Sequence, residues 1–160
     1  MAHQDTLKAK GRVGIVLKDK DGKVKENREI DNTVVNAGLA YIASRMVDAN
    51  DSVMTHMALG ESNANATGSS AESQTALGTE TTVSGTDKRK LFTTATSHSG
   101  ATVTYTCFFD QGESTGAIKE AGIFTAMSGG TMLCRTVFDE VNKAALDTMT
   151  VTWTITLSDT

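Results

Sequence analysis

The chain has 160 residues, 39% of them hydrophobic, with five Phe, two Tyr and one Trp, which predicts one domain whose core is small or is completed by another chain. The net charge of −4 argues against general nucleic-acid binding, which needs a basic surface. No run of about 18 apolar residues and no secretion signal is visible, so we expect no membrane span and synthesis in the cytoplasm.

Positive charge is concentrated at the start of the chain. Residues 1–30 carry eight Lys or Arg and five Asp or Glu, a net +3, which leaves −7 for the remainder. We predict a flexible N-terminal arm over residues 1–10, followed by a single β-rich domain over residues 11–160. Lys8, Lys10 and Arg12 are the candidate contacts of this region with an acidic partner. The alternative is a solvated tail with scattered lysines.

The first predicted elements are a hairpin and a helix. Alternating Val13, Ile15 and Leu17 predict a strand, and the Asp19–Gly22 turn leads into a second strand that ends near Ile30. Asn32 and Thr33 are expected to cap a helix that begins near Val34. The helix has apolar residues at intervals of three and four, which predicts a stripe packed against a sheet. These residues are Val35, Leu39, Ile42, Ala43, Met46 and Val47.

A strand over residues 53–59, which carries His56, precedes a long loop. Residues 60–76 (GESNANATGSSAESQTA) are small and polar without periodicity, and loops of this length in compact domains are usually functional or disordered. Ser62, Asn63 and Asn65 in this loop are candidate contacts with a partner protein. Further along, the triplet Lys88-Arg89-Lys90 is interpreted as a solvated sheet edge.

Residues 116–138 predict two strands joined by a tight turn at Ser128-Gly129-Gly130, where glycine can adopt positive φ. Gly122 indicates a bulge or a close backbone approach. If Glu120 is partly buried in the first strand, it needs a partner such as Arg135 across the hairpin. The last run, TMTVTWTITL, predicts a central strand with one buried face and one face of threonines.

One helix and about eight strands, joined mainly by short links, predict a mainly β fold. We expect an antiparallel β-sandwich or barrel with one α-helix packed on it.

The sequence offers no catalytic constellation. The three histidines, His3, His56 and His98, are scattered and lie in no hydrolase or metalloprotease motif. Cys107 and Cys134 lie in predicted strands without zinc-ligand spacing, so we predict reduced, buried thiols. We therefore expect a protein that is not an enzyme and that uses no cofactor or metal.

Several segments in order resemble virion structural proteins of tailed bacteriophages. In that family an Asn-preceded helix leads to an ALG strand and a loop of small residues, and a glycine-turn hairpin and a threonine-alternating last strand follow. The matching segments are NTVVNAGLAYIASRM (32–46), HMALGES (56–62), TALGTE (75–80), AIKEAGIFTAMSGGTMLCRTVF (117–138) and DTMTVTWTITL (147–157).

The resemblance implies a non-enzymatic virion component, assembled in the host cytoplasm, that binds the major capsid protein or other virion proteins. It favours a capsid decoration (cement) protein, since a fibre would continue into repetitive sequence. Such a protein is expected to be a homo-oligomer, with a trimer favoured, and to bind neither nucleic acid nor membrane. The alternatives are a tail, collar or fibre-attachment protein and, more distantly, a carbohydrate-binding β-sandwich module.

Overall fold

The computed structural model describes residues 7–47, 52–64 and 69–159. These residues form nine strands, a ten-residue helix α1 (Asn36–Arg45) and a single helical turn α2 (Ser69–Glu72). The predicted mainly β fold with one substantial helix is confirmed. The strands are β1 (Lys8–Lys18), β2 (Val24–Val34), β3 (His56–Gly60), β4 (Arg89–Leu91), β5 (Thr94–Ser99), β6 (Thr102–Phe109), β7 (Gly116–Phe124), β8 (Met132–Lys143) and β9 (Thr148–Ser158).

All strand pairs are antiparallel and form one curled, half-barrel sheet in the order β4-β3-β7-β8-β2-β1-β9-β6-β5. Its two halves are joined where the end of β2 pairs with β8 through Thr33 and Val34. The two edge strands, β4 and β5, are separated in sequence by only Phe92 and Thr93. The count of nine exceeds the predicted eight or so, because β4 and β5 are short and β5 is exposed at every residue, so neither carries an alternating apolar pattern.

The core lies on one face of the sheet, here called the inner face. In β9 the apolar residues Met149, Val151, Trp153 and Ile155 are buried, while the threonines between them are half-buried on the outer face. The predicted central strand is therefore confirmed, with β1 and β6 as its neighbours. Trp153, at 0% exposure, is among the largest side chains of this core.

The hairpin predicted over residues 116–138 is also confirmed. β7 and β8 pair in register, and Gly129 and Gly130 in the turn have φ values of 63° and 68°. Gly122 sits where the backbone is crowded, because a Cβ there would lie 3.3 Å from the carbonyl oxygen of Cys134. Register shifts occur on either side of Gly122, between Ile118 and Glu120 and between Ile123 and Phe124.

The helix differs from its prediction in start and orientation. Asn32 and Thr33 belong to β2, and Val35 is the N-cap without any side-chain cap hydrogen bond. Gly38 is the buried residue of α1, and a Cβ there would lie only 1.9 Å from the carbonyl oxygen of Leu133. Gly38 is therefore the point at which α1 lies against the backbone of β8. Of the predicted apolar stripe, Ile42 packs against the core, whereas Leu39 is 46% exposed.

The first strand begins inside the predicted N-terminal arm. β1 starts at Lys8, so Lys8 and Lys10 are strand residues that pair with Ser158 and Thr156 of β9. The remainder of the predicted arm, residues 1–6, lies outside the described residues.

Candidate functional site

The three predicted basic contacts share the outer face of β1. Lys8, Lys10 and Arg12 are exposed, whereas Gly11 and Val13 between and after them are buried. Arg12 forms an ion pair with Glu29 on β2, with Nη2 2.7 Å from Oε2 and both side chains 64% exposed. Neither Lys8 nor Lys10 forms an ion pair with any residue that the structure describes.

Lys8 and Lys10 line a shallow depression of about 430 Å³ together with Leu7, Leu39 of α1 and Glu72 of α2. Glu72 belongs to the long loop that the sequence nominated as a second contact region. The structure therefore brings the end of that loop next to the basic residues of β1. We call these five residues the basic depression.

The other nominated loop residues lie elsewhere. Ser62 is half-buried, its backbone N donates to Glu120 Oε1 at 3.3 Å, and its Oγ accepts from Ala64 N at 3.1 Å. Asn63 is exposed, and Asn65 lies outside the described residues. Ser62 thus helps to fix the loop, and only Asn63 of these three is an exposed residue of the described structure.

A buried ion pair holds this loop on the sheet. Glu120 is completely buried in β7, and Arg135 on β8 donates from Nε to Glu120 Oε2 at 2.8 Å. The same carboxylate accepts from the backbone N of Thr79 at 2.9 Å and of Gly78 at 3.0 Å. Arg135 also donates to the carbonyl oxygen of Ala64 at 3.0 Å. The pair predicted across the hairpin is confirmed, and it anchors both ends of the loop.

A second buried ion pair, between Arg89 and Glu80, holds the turn between β7 and β8 in place. Arg89 is 7% exposed and donates from Nη2 to Glu80 Oε1 at 2.8 Å. Its Nη1 donates to the carbonyl oxygens of Ala126 and Gly129, at 3.0 and 2.7 Å, and its guanidinium lies 3.6 Å from the ring centre of Phe124. The interpretation of Arg89 as a solvated edge residue was wrong, because its side chain lies over the sheet instead of pointing to water.

A third buried charge ties the loop before β9 to the sheet. Lys143 is fully buried, and its Nζ donates to the carbonyl oxygens of Asp110 and Asp147 at 2.9 and 2.7 Å. Burial lowers the pKa of Lys143 against the opposing effect of Asp147. Burial disfavours the charged form of Asp147, but hydrogen bonds from Lys25 Nζ and Ala144 N outweigh this and lower its pKa. Charged side chains at three positions thus hold the loops in fixed positions.

Burial makes the stability contributed by His56 sensitive to mild acid. Burial, and then the charge of Arg89, lower its pKa from the ordinary 6.5. Between that lowered value and 6.5 the unfolded chain binds more protons, so the free energy of unfolding decreases as the pH falls below about 6.5. We expect urea denaturation midpoints to decline over this range for the native chain and less for His56→Gln. An equal decline in both proteins would contradict the assignment.

Nucleophilic chemistry at the two cysteines is opposed by burial. Both thiols are free and buried, as the sequence predicts, and burial raises the pKa of Cys107 to about 12. Among the described residues, no group of three or more His, Cys, Asp or Glu side chains is placed to hold a metal ion. None of the helices in the described part of the chain is long and apolar enough to cross a membrane.

Sequence reasoning missed the surface formed by α1. Leu39, Ala40, Ala43, Met46 and Val47 are all exposed, and the last two are 81% and 77% exposed. Of the stripe predicted to pack on the sheet, Val35 is buried and Ile42 packs against the core, whereas the other four residues are exposed: Leu39, Ala43, Met46 and Val47. We call these five residues the α1 face; its Leu39 also belongs to the basic depression.

No protein-family model, no curated protein and no solved structure matches this chain.

Proposed function

We propose that this chain is a non-enzymatic structural component of a tailed-bacteriophage virion, a capsid decoration protein that binds and stabilises the assembled shell. The sequence segments that resemble phage virion proteins support this. They include the hairpin over residues 116–138 and the final threonine-alternating strand. A protein that binds only the assembled shell stabilises that shell by its binding free energy.

The observation that carries the binding role is the basic depression. Lys8 and Lys10, which form no ion pair within the described part of the chain, lie beside Leu7 and Leu39, which are 65% and 46% exposed. Two lysines beside exposed apolar side chains, with Glu72 as the one opposing charge, are suited to an acidic protein partner, because complementary charge steers association and apolar burial adds affinity. The partner proposed is the major capsid protein or another virion protein.

Reversal of the two lysine charges should weaken shell binding. Purified Lys8→Glu/Lys10→Glu protein is mixed with particles that lack this protein, and co-sedimentation at increasing salt gives the affinity. We expect the dissociation constant of the variant to rise at least tenfold, because an acidic partner would then be repelled. The matched control is Lys18→Glu/Lys20→Glu, which reverses two exposed charges at the other end of β1. Equal affinity of both variants would contradict the assignment of the basic depression.

A tail, collar or fibre-attachment protein is the second candidate, since the same hairpin resemblance extends to that group. Binding to isolated tails, with none to tailless shells, would favour it. The carbohydrate-binding alternative has less support, because such sites use exposed aromatic platforms. Here Trp153 is completely buried and Tyr105 is 8% exposed.

A further inference from the structure

A groove of about 190 Å³ separates the second half of α1 from the ends of three strands. Gly38 holds the start of the helix against the backbone of β8. The groove opens along the same side of the helix, opposite the α1 face, where Tyr41, Ile42 and Arg45 line it. The sheet supplies the remaining lining residues: Val103 and Tyr105 of β6, Leu133 of β8, and Ile155 and Leu157 of β9. We call this feature the α1 groove.

The lining of the α1 groove is mostly apolar and continuous with the hydrophobic core. Leu133 and Ile155 belong to the core, and Ile42 and Val103 are half-buried residues packed against it. Water finds few hydrogen-bond partners in such surroundings, so an apolar guest is preferred. Since an apolar cavity of about 150 Å³ binds benzene, the α1 groove suits a guest of about ten non-hydrogen atoms.

Tyr105 places one hydrogen-bond donor within this apolar lining. The residue is only 8% exposed, and its hydroxyl forms no hydrogen bond with any residue that the structure describes. Burial raises the pKa of Tyr105, and nearby Cys134 and Tyr41 raise it further, so the hydroxyl stays protonated at neutral pH. Buried tyrosine hydroxyls usually have a hydrogen-bond partner. An acceptor atom on a guest would supply one.

Charge along the α1 groove favours an anionic guest. Arg45 lies one helical turn after Tyr41 and is exposed, so a positive charge borders the groove where it meets water. None of the described lining residues is Asp or Glu. A carboxylate accepts hydrogen bonds from both a phenol and a guanidinium, and such charge-assisted bonds are stronger than neutral ones.

We propose that the α1 groove binds a medium-chain carboxylic acid, with its aliphatic chain between α1 and the sheet and its carboxylate facing the Tyr105 hydroxyl and Arg45. This binding site goes beyond the proposed function and does not depend on it, because the basic depression lies at Leu39 on the other side of α1. A guest in the groove also covers the end of the core, so saturation should stabilise the folded chain.

Calorimetry with octanoate tests the binding site. Octanoate should bind the full chain saturably, with one molecule per chain, and should raise the urea denaturation midpoint. Acetate lacks the aliphatic chain and should give no measurable binding. Octylamine keeps the chain but reverses the charge, and it should bind at least about tenfold more weakly than octanoate. Absence of octanoate binding would overturn the proposal, and equal affinity for octylamine would overturn the carboxylate assignment.

Two substitutions locate the site. Tyr105→Phe removes only the hydroxyl and keeps the ring, whose centre lies 5.1 Å from that of Phe92, and it should weaken octanoate binding about tenfold. Val103→Phe fills the groove and should abolish binding. The matched control is Val24→Phe, because Val24 is 49% exposed at the start of β2, at the opposite end of the sheet. Native affinity in Val103→Phe would overturn the assignment of the groove.

Methyl NMR of the native chain locates octanoate without any substitution. Octanoate should shift the methyl resonances of Ile42, Leu133 and Ile155 and leave that of Ile118, which is fully buried in β7, unchanged. Shifts caused by shells but not by octanoate would show that a partner side chain occupies the groove, and would overturn the ligand. Loss of shell binding with intact octanoate binding would affect only the proposed function.

Discussion

Replacement of Glu120 by glutamine is expected to lower the free energy of unfolding by about 3 to 5 kcal/mol, the usual cost of leaving one partner of a buried ion pair alone. Arg135 is 4% exposed and would keep its charge without a carboxylate. The backbone N–H groups of Gly78 and Thr79 would also face an amide in place of two oxygens. Urea denaturation followed by tryptophan fluorescence measures the change, because Trp153 lies in the core.

Two further variants distinguish the loss of the Glu120–Arg135 ion pair from any effect that a Glu-to-Gln substitution has by itself. Glu140→Gln removes an exposed partner of Lys119 and should change stability by less than about 0.5 kcal/mol. Glu120→Gln/Arg135→Gln should recover part of the loss, since no unpaired charge remains buried. A loss below about 1 kcal/mol for Glu120→Gln would show that the pair does not anchor the loop.

Replacement of Arg89 by methionine is expected to cost about 3 kcal/mol, because several acceptors lose their buried donor at once. Methionine is similar in length but removes the guanidinium that lies over the ring of Phe124. It leaves Glu80 unpaired, with its side chain 14% exposed, and it leaves the carbonyl oxygens of Ala126 and Gly129 without their donor. Chemical denaturation gives the stability.

Hydrogen exchange locates the effect of this substitution. The backbone N of Thr125 donates to Thr131 across the turn at 3.1 Å, and this amide should exchange faster in Arg89→Met. Lys88→Met is the control, because Lys88 is exposed and makes a single 3.3 Å contact with the Glu80 carbonyl oxygen. Unchanged exchange at Thr125 would contradict a role of Arg89 in fixing the turn.

The strands that could be predicted are those in which apolar residues alternate with polar or small ones, because this alternation follows from burial of one face of the strand. β9 alternates apolar residues and threonine over its whole length, and β1 alternates Val13, Ile15 and Leu17 with exposed or small residues. The Glu120–Arg135 pair was predictable from charge, since a buried carboxylate needs a partner on the neighbouring strand, although the register places Val137 opposite Glu120 and Gly122 opposite Arg135. Local pattern was sufficient in these cases.

Features that depend on close backbone contact or on long-range partners could not be predicted from such patterns. Gly38 has no side chain to score as apolar, yet it decides which side of α1 meets the sheet. Arg89 lies between two lysines in the sequence and is therefore predicted to be solvated. Its partners, Glu80 and the carbonyl oxygen of Gly129, are brought next to it only by folding. The candidate site shows the same division, since charge alone identifies Lys8 and Lys10 as candidates, whereas their place in β1 and their neighbour Glu72, which is distant in sequence, are not predicted.

A mass-spectrometric count of this protein per purified virion, relative to the major capsid protein, tests the proposed function most directly. A decoration protein that covers the shell should be present in a fixed ratio to the capsid subunits, at a sizeable fraction of their number. A handful of copies would place the protein at the tail or neck and contradict the decoration role. Absence from purified particles would contradict a virion role altogether.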